Sequence, residues 1–180
     1  MPPGNDDLHE ESVDRDFVLT SVLEAPRELV FKVFTDPAHM THWWGPKGYT
    51  VVAATMDLRP GGIYHYGLKG RDCGTMWGKF VYREIVAPER LVFVNSFSDE
   101  AGNTTRHPMS PTWPLELLST ITFDEQAGGT LLTIHWTVLP SATEQERQTF
   151  HAANAGMRHG WTGTLDQLAA YLAEIQCKTK

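Results

Sequence analysis

The chain has 180 residues, 41% of them hydrophobic, and a formal net charge of −7 with no run of lysine or arginine. That length suits one domain able to bury roughly two-thirds of its unfolded surface, and the acidic balance argues against a nucleic-acid or anionic-membrane partner. The two cysteines, Cys73 in an expected strand and Cys177 near the end of the chain, form neither a disulfide framework nor a CxxC pair, which fits a reducing, cytoplasmic setting.

The opening stretch "MPPGNDDLHEESVDRD" is acidic and polar, without the basic and apolar regions of a signal peptide, and no apolar run approaches the length of a membrane span. It reads as a disordered leader over residues 1–15, followed by one domain over residues 16–176. From Phe17 the pattern becomes ordered. "DFVLTSVLEAP" is rich in strand formers, and Ala25-Pro26 opens a helix, "RELVFKVFT", with Leu29, Val30, Val33 and Phe34 on one face.

The next stretch, "DPAHMTHWWGPKGY", has its own start and stop signals. Asp36 is a good N-cap, Pro37 fits the first helical position, Gly45 can take a left-handed conformation and Pro46 forbids continuation. A short helix of about two turns, ending in Trp43-Trp44, is expected. Neighbouring helical residues point about 100° apart, so the two indoles cannot enter one flat interface. One belongs in the joint between helix and sheet and the other at a rim, cavity or solvent; the sequence leaves open which is which.

Strand patterns follow at "YTVVAATMDL", "IYHYGL", "TMWGKFVYREIV", "RLVFVNSF", "LELLSTITF" and "TLLTIHWTVL", with "RPGG" (Arg59–Gly62) placing proline and glycine where a type II turn needs them. No crossover helix separates them, which implies a curved antiparallel sheet. The irregular connection from Ser98 to Pro114, with Trp113 near its end, exceeds what a hairpin needs and is either a lid or a surface loop. From Thr143 to about Ile175, Phe150, Met157, Trp161, Leu165, Leu168 and Leu172 fall within about 40° of one line on a helical wheel, so one long amphipathic helix is expected. Thr143 and Glu146 have capping-box spacing. Asn154 is the polar residue near the centre of the stripe, where a buried amide needs a ligand, water or strand carbonyl. Gly156, Gly160 and Gly163 cluster on a flank roughly 130° from Trp161. Glycine is costly in a helix, so close approach by the long loop, a strand edge or a second subunit in a homodimer is expected there.

Catalytic signals are sparse. The 8 histidines fall in no HExxH, and the chain has no nucleophile elbow, P-loop or GxGxxG. His39 and His42 share a helix side but no third ligand follows at a telling spacing, so no metal or cofactor is expected. An acid–base enzyme would need an inward group such as His65, Glu84 or His135. His65 alternates with Tyr64 and Tyr66, and His135 with Ile134 and Trp136, so these histidines face out if the aromatics face in. No catalytic residue is assigned.

The order strand, two short helices, antiparallel run and long C-terminal helix resembles the helix-grip, START-like (SRPBCC) superfamily. "APRELVFKVFTDPAHMTHWWGPKGY", "MDLRPGG", "PERLVF" and "HGWTGTLDQLAAYL" are similar to the branch named for the activator of heat-shock protein 90 ATPase, also labelled polyketide-cyclase-like. The resemblance implies an α+β fold: a curved antiparallel sheet of about six or seven strands wrapped round the C-terminal helix, two short helices after the first strand, and a mostly apolar cavity between sheet and helix. Its candidate lining is Trp43 or Trp44, Tyr64, Tyr66, Trp77, Phe93 and Phe97 from helix and strands, with Asn154, Met157 and Trp161 from the long helix. The expected function is binding of a small apolar or aromatic ligand in that cavity. Two alternatives stay open: a chaperone-linked interaction module, and a cyclase or aromatase acting on a polyketide-like substrate.

Overall fold

The computed structural model describes residues 16–179, and the expected leader over residues 1–15 lies outside them. Alternation is plain in the first strand, β1 (Phe17–Leu23), where Phe17 and Leu23 are buried and Val18, Thr20 and Val22 are exposed. Two short helices follow, α1 (Arg27–Thr35) and α2 (Pro37–Met40). The strands continue as β2 (Tyr49–Met56), β3 (Ile63–Gly70), β4 (Thr75–Val86), β5 (Arg90–Ser98), the two-residue β6 (Thr104–Thr105), β7 (Leu117–Gln126) and β8 (Gly129–Val138). Helices α3 (Glu144–Ala152) and α4 (Asn154–Lys178) close the chain.

Seven strands form one antiparallel sheet in the order β1-β8-β7-β5-β4-β3-β2, with β6 paired to the end of β5. Register shifts between Val51 and Ala53 in β2, and between Tyr82 and Glu84 in β4, add local bends that help curl the sheet into a half-barrel. The "RPGG" turn forms as expected: Gly61 has φ +82°, and the Gly62 N–H donates to the Arg59 carbonyl at 2.8 Å. Along α4, Trp161, Leu165, Leu168 and Leu172 are buried, so the apolar stripe is the face the sheet grips. Among the described residues, no helix is long and apolar enough to cross a membrane.

Two helical expectations are corrected. The α2 helix is shorter than its signals implied: Asp36 caps it through Ala38 N–H at 2.9 Å, but it ends at Met40. The His42 N–H already reaches back only three residues to His39 O, and the N–H groups of Trp43 and Trp44 both meet the Met40 carbonyl. The tryptophans therefore lie on tightened turns after the helix, and Gly45, at φ +105°, completes the reversal. The expected single C-terminal helix is two. The capping box at Thr143 and Glu146 is present, but the path breaks at Ala153, whose N–H caps α3 on Thr149 O and Phe150 O. The poor helix formers Asn154 and Gly156 follow at once.

The glycine flank also differs from expectation. A Cβ built at Gly156 or Gly160 would meet nothing within 4 Å, and one at Gly163 would only touch Lys47 at 3.7 Å. No described segment packs closely on Gly156 or Gly160. Gly156→Ala should therefore stabilise the chain by about 0.5–1 kcal/mol through helix propensity, read as a higher urea midpoint at unchanged slope. A lower midpoint would point to a second copy seated on that flank.

Candidate functional site

The curl of the sheet and the aromatic content of β3 to β5 leave a space that α4 does not fill. A cavity of about 270 Å³ lies between the concave face and α4, close to the lower end of the ligand-pocket range. Its lining is rich in aromatic residues, with Gly45, Pro46, Met76 and Gly160 among the smaller or more flexible ones.

The tandem tryptophans divide the work. Trp43 is 1% exposed, donates its Nε1–H to Val33 O at 3.1 Å and packs on Phe34 with ring centroids 4.6 Å apart. It is the joint between α1 and the turn. Trp44 lines the cavity and meets Tyr66, Phe80 and Trp161 edge-on at 5.3–5.6 Å. Its indole N–H leans on the Tyr66 hydroxyl without reaching hydrogen-bond geometry.

The other candidates separate along the alternation of the strands. Tyr66, Phe97, Met157 and Trp161 line the cavity. Tyr64 and Phe93 face inward but lie beneath it as core, Tyr64 stacked on Tyr66 at 5.1 Å and Phe93 on Phe80 at 4.1 Å. Trp77 borders the cavity, yet its ring lies over Gly67 and stacks on His65 at 5.1 Å. That is the outer face, because Gly78, not Trp77, occupies the inward position of β4 opposite Tyr66. Asn154 does not line the cavity, because it is the first residue of α4, a turn before the first lining position at Met157.

Gly78 has a specific task. A Cβ there would sit 2.5 Å from the Tyr66 hydroxyl and 2.6 Å from its ring, so the bare backbone is what lets Tyr66 lie flat across β4. Gly78→Ala should cost about 1–3 kcal/mol and tilt Tyr66 into the cavity, measurable as a lower melting temperature together with weaker binding of aromatic probes.

The lining also includes residues that strand and helix patterns did not single out: Phe80, Asn95, His107 and Trp136, with Trp113 from the long connection. Asn95 was readable in principle, since it shares a β5 face with Phe93 and Phe97. His107 and Trp113 had no periodic signal, because their positions depend on how residues 99–116 fold back. That segment adds β6 alongside Phe97 and Ser98 and then crosses to α3. It is fastened there by an Arg106–Glu146 ion pair, by the Thr149 hydroxyl donating to Thr112 Oγ1 at 2.9 Å, and by Trp113 against Phe150 at 5.9 Å. Of the two readings of the connection, this is a lid.

The cavity is electrically quiet. Among the described residues no Lys, Arg, Asp or Glu lines it. Burial pushes the Tyr66 phenol far up, keeping it protonated, and burial pushes His107 below the ordinary histidine value, favouring the neutral ring. The three acid–base candidates from the sequence lie elsewhere, while His107 stands in the lining. His65 reaches Asp99 O at 3.1 Å, Glu84 pairs with Arg90 at the surface, and His135 meets Asp16 at 2.9 Å. His39 and His42 both engage Tyr171, one through its hydroxyl at 2.6 Å and the other by stacking at 4.9 Å. Among the described residues no group of three or more His, Cys, Asp or Glu could hold a metal ion.

The family model described as activator of Hsp90 ATPase homolog 1-like protein matches residues 24–173, most of the chain. The protein belongs to this family. A solved protein from Arthrobacter aurescens is similar at 26% identity, with 88% of this chain and 86% of that one covered and a TM-score of 0.72. Protein Ms6760 from Mycobacterium smegmatis is similar at 25% identity, covering 85% and 87% of the two chains with a TM-score of 0.68. An activator-homologue protein from Silicibacter pomeroyi, 20% identical over 88% of this chain and 98% of that one at a TM-score of 0.66, shares the fold. No curated protein matches the chain.

Proposed function

We propose that the protein binds a small hydrophobic or aromatic molecule in the cavity between the sheet and α4. The observation that carries this reading is the unfilled space itself. Trp44, Tyr66 and Trp161, in edge contact through Trp44, still leave beside them about 270 Å³ that a purely structural core would have filled. Burial of an aromatic ligand there replaces the missing contacts of those rings. The candidate histidines named for a cyclase, His65 and His135, are engaged with Asp99 O and Asp16 away from the cavity lining.

The test uses Gly160, which lines the cavity and has open space where a side chain would start. Gly160→Leu should be accommodated on the helix without strain while its side chain takes up cavity space. Calorimetric titration with naphthalene-sized probes should give saturable heats for wild type and none for Gly160→Leu, with the melting temperature of the variant no lower. Saturable binding that Gly160→Leu leaves intact would place the ligand elsewhere, and wild type that binds no such probe would remove the reading.

A further inference from the structure

Two polar side chains stand in this aromatic cavity with hydrogen-bond capacity unspent. Asn95 and Phe97 are two apart on β5 and so share its concave face, and His107 reaches the same wall from the lid, its ring edge-on to Phe97 at 4.6 Å. The Met109 N–H donates to His107 Nδ1 at 3.0 Å, which fixes the neutral tautomer with its proton on Nε2. Among the described residues neither that Nε2–H nor the Asn95 Nδ2–H has an acceptor, so both donors are free to meet an oxygen; the Asn95 Oδ1 is buried. The facing wall, from α4, presents Met157 and Trp161, which are apolar over almost all their surface. Polar groups are expensive in such surroundings unless something meets them.

We propose that the cavity selects uncharged aromatic molecules that carry a hydrogen-bond-accepting oxygen, with the oxygen held by the His107 Nε2–H and the Asn95 side-chain amide and the rings against Trp161 and Met157. The proposal rests on the ligand-binding reading above and narrows it to a chemical class. An ionised ligand is disfavoured because it would shed its hydration against a lining without a cation or an anion. A plain hydrocarbon would fill the space but leave both polar groups unmet, so a ketone, ester or phenol of the same shape binds better. The lid takes part directly, because one of the two anchors is its own His107. A ligand oxygen on Nε2 thereby ties the lid to the β5 wall.

Three probes of matched shape test this: methyl naphthyl ketone, isopropylnaphthalene and naphthoate, each titrated into the intact protein by calorimetry near neutral pH. The ketone should bind about tenfold more tightly than the hydrocarbon, the worth of one to two net hydrogen bonds, and naphthoate should bind most weakly. His107→Phe, a change in the lid that leaves the sheet untouched, should reduce the preference for ketone over hydrocarbon, and the double variant with Asn95→Leu should abolish it while keeping the hydrocarbon affinity. Equal wild-type affinities for ketone and hydrocarbon, or tightest binding of naphthoate, overturn the proposal even if the variants fold poorly. Failure of both neutral probes to bind overturns the ligand-binding reading itself, a different result from binding without discrimination.

Discussion

Trp43→Ala should destabilise the protein by roughly 3–5 kcal/mol, the usual cost of truncating a fully enclosed large ring, whereas Trp44→Ala should cost nearer about 2 kcal/mol. The two residues are chemically identical and adjacent, so the difference isolates surroundings. Trp43 is enclosed by α1 and satisfied at its indole nitrogen by Val33 O, and its removal leaves both a void and an orphaned carbonyl. Trp44 already has the cavity on one side and gives up fewer contacts. Trp44→Ala should in return enlarge the cavity and weaken binding of naphthalene-sized probes, an effect Trp43→Ala should show only in proportion to its unfolding. Urea unfolding of both variants, with the slopes compared, measures the ratio. Equal losses would mean that Trp44 is ordinary core.

Glu146→Ala should have the second-largest effect, a stability loss of about 1–3 kcal/mol accompanied by faster release of bound probe. The Glu146 side chain is only 8% exposed and does two jobs: it accepts the Thr143 N–H at 2.8 Å as part of the capping box, and it pairs with Arg106 of the lid. The Arg106 guanidinium, helped by the Thr143 N–H, holds its carboxyl below the ordinary value of 4.5. A carboxylate with a depressed folded-state pKa contributes stability that is complete above the unfolded value and is lost as pH falls through the folded one. The wild-type protein should therefore lose stability in the acid range below 4.5, and Glu146→Gln should flatten that part of the profile. An acid profile unchanged by Glu146→Gln would show that the latch contributes nothing.

The sheet was legible because period-two alternation and the turn residues between strands are local properties, and the "RPGG" turn and the Thr143 capping box formed where their residues stood. The gripping face of α4 was legible for the same reason, since Trp161, Leu165, Leu168 and Leu172 keep helical phase within one unbroken element. Asn154 shares that phase but is the first residue of α4, short of the cavity, and a periodic pattern does not report where a helix begins. Trp77 borders the cavity as expected but from the outer face of β4, because the glycine beside it holds the inward position opposite Tyr66. His107 was out of reach for a different reason. It enters the cavity through contacts between the lid and α3, separated by about forty residues of chain, and no local pattern encodes such a meeting.

All six tryptophans of the chain lie in or beside one small volume: five border the cavity and Trp43 touches Trp44 at 5.7 Å with the rings at 89°. Trp44 and Trp161 cross at 70°, and Trp161 and Trp136 at 73°. Indoles fixed at such mutual tilts form a chiral array whose electronic transitions couple, so the near-ultraviolet circular dichroism of this protein is dominated by the walls of one compartment. Loosening of those walls would extinguish that signal while the far-ultraviolet spectrum of strands and helices stays intact. The molecule thus has a built-in optical gauge of the order of its interior, one that needs neither label nor ligand.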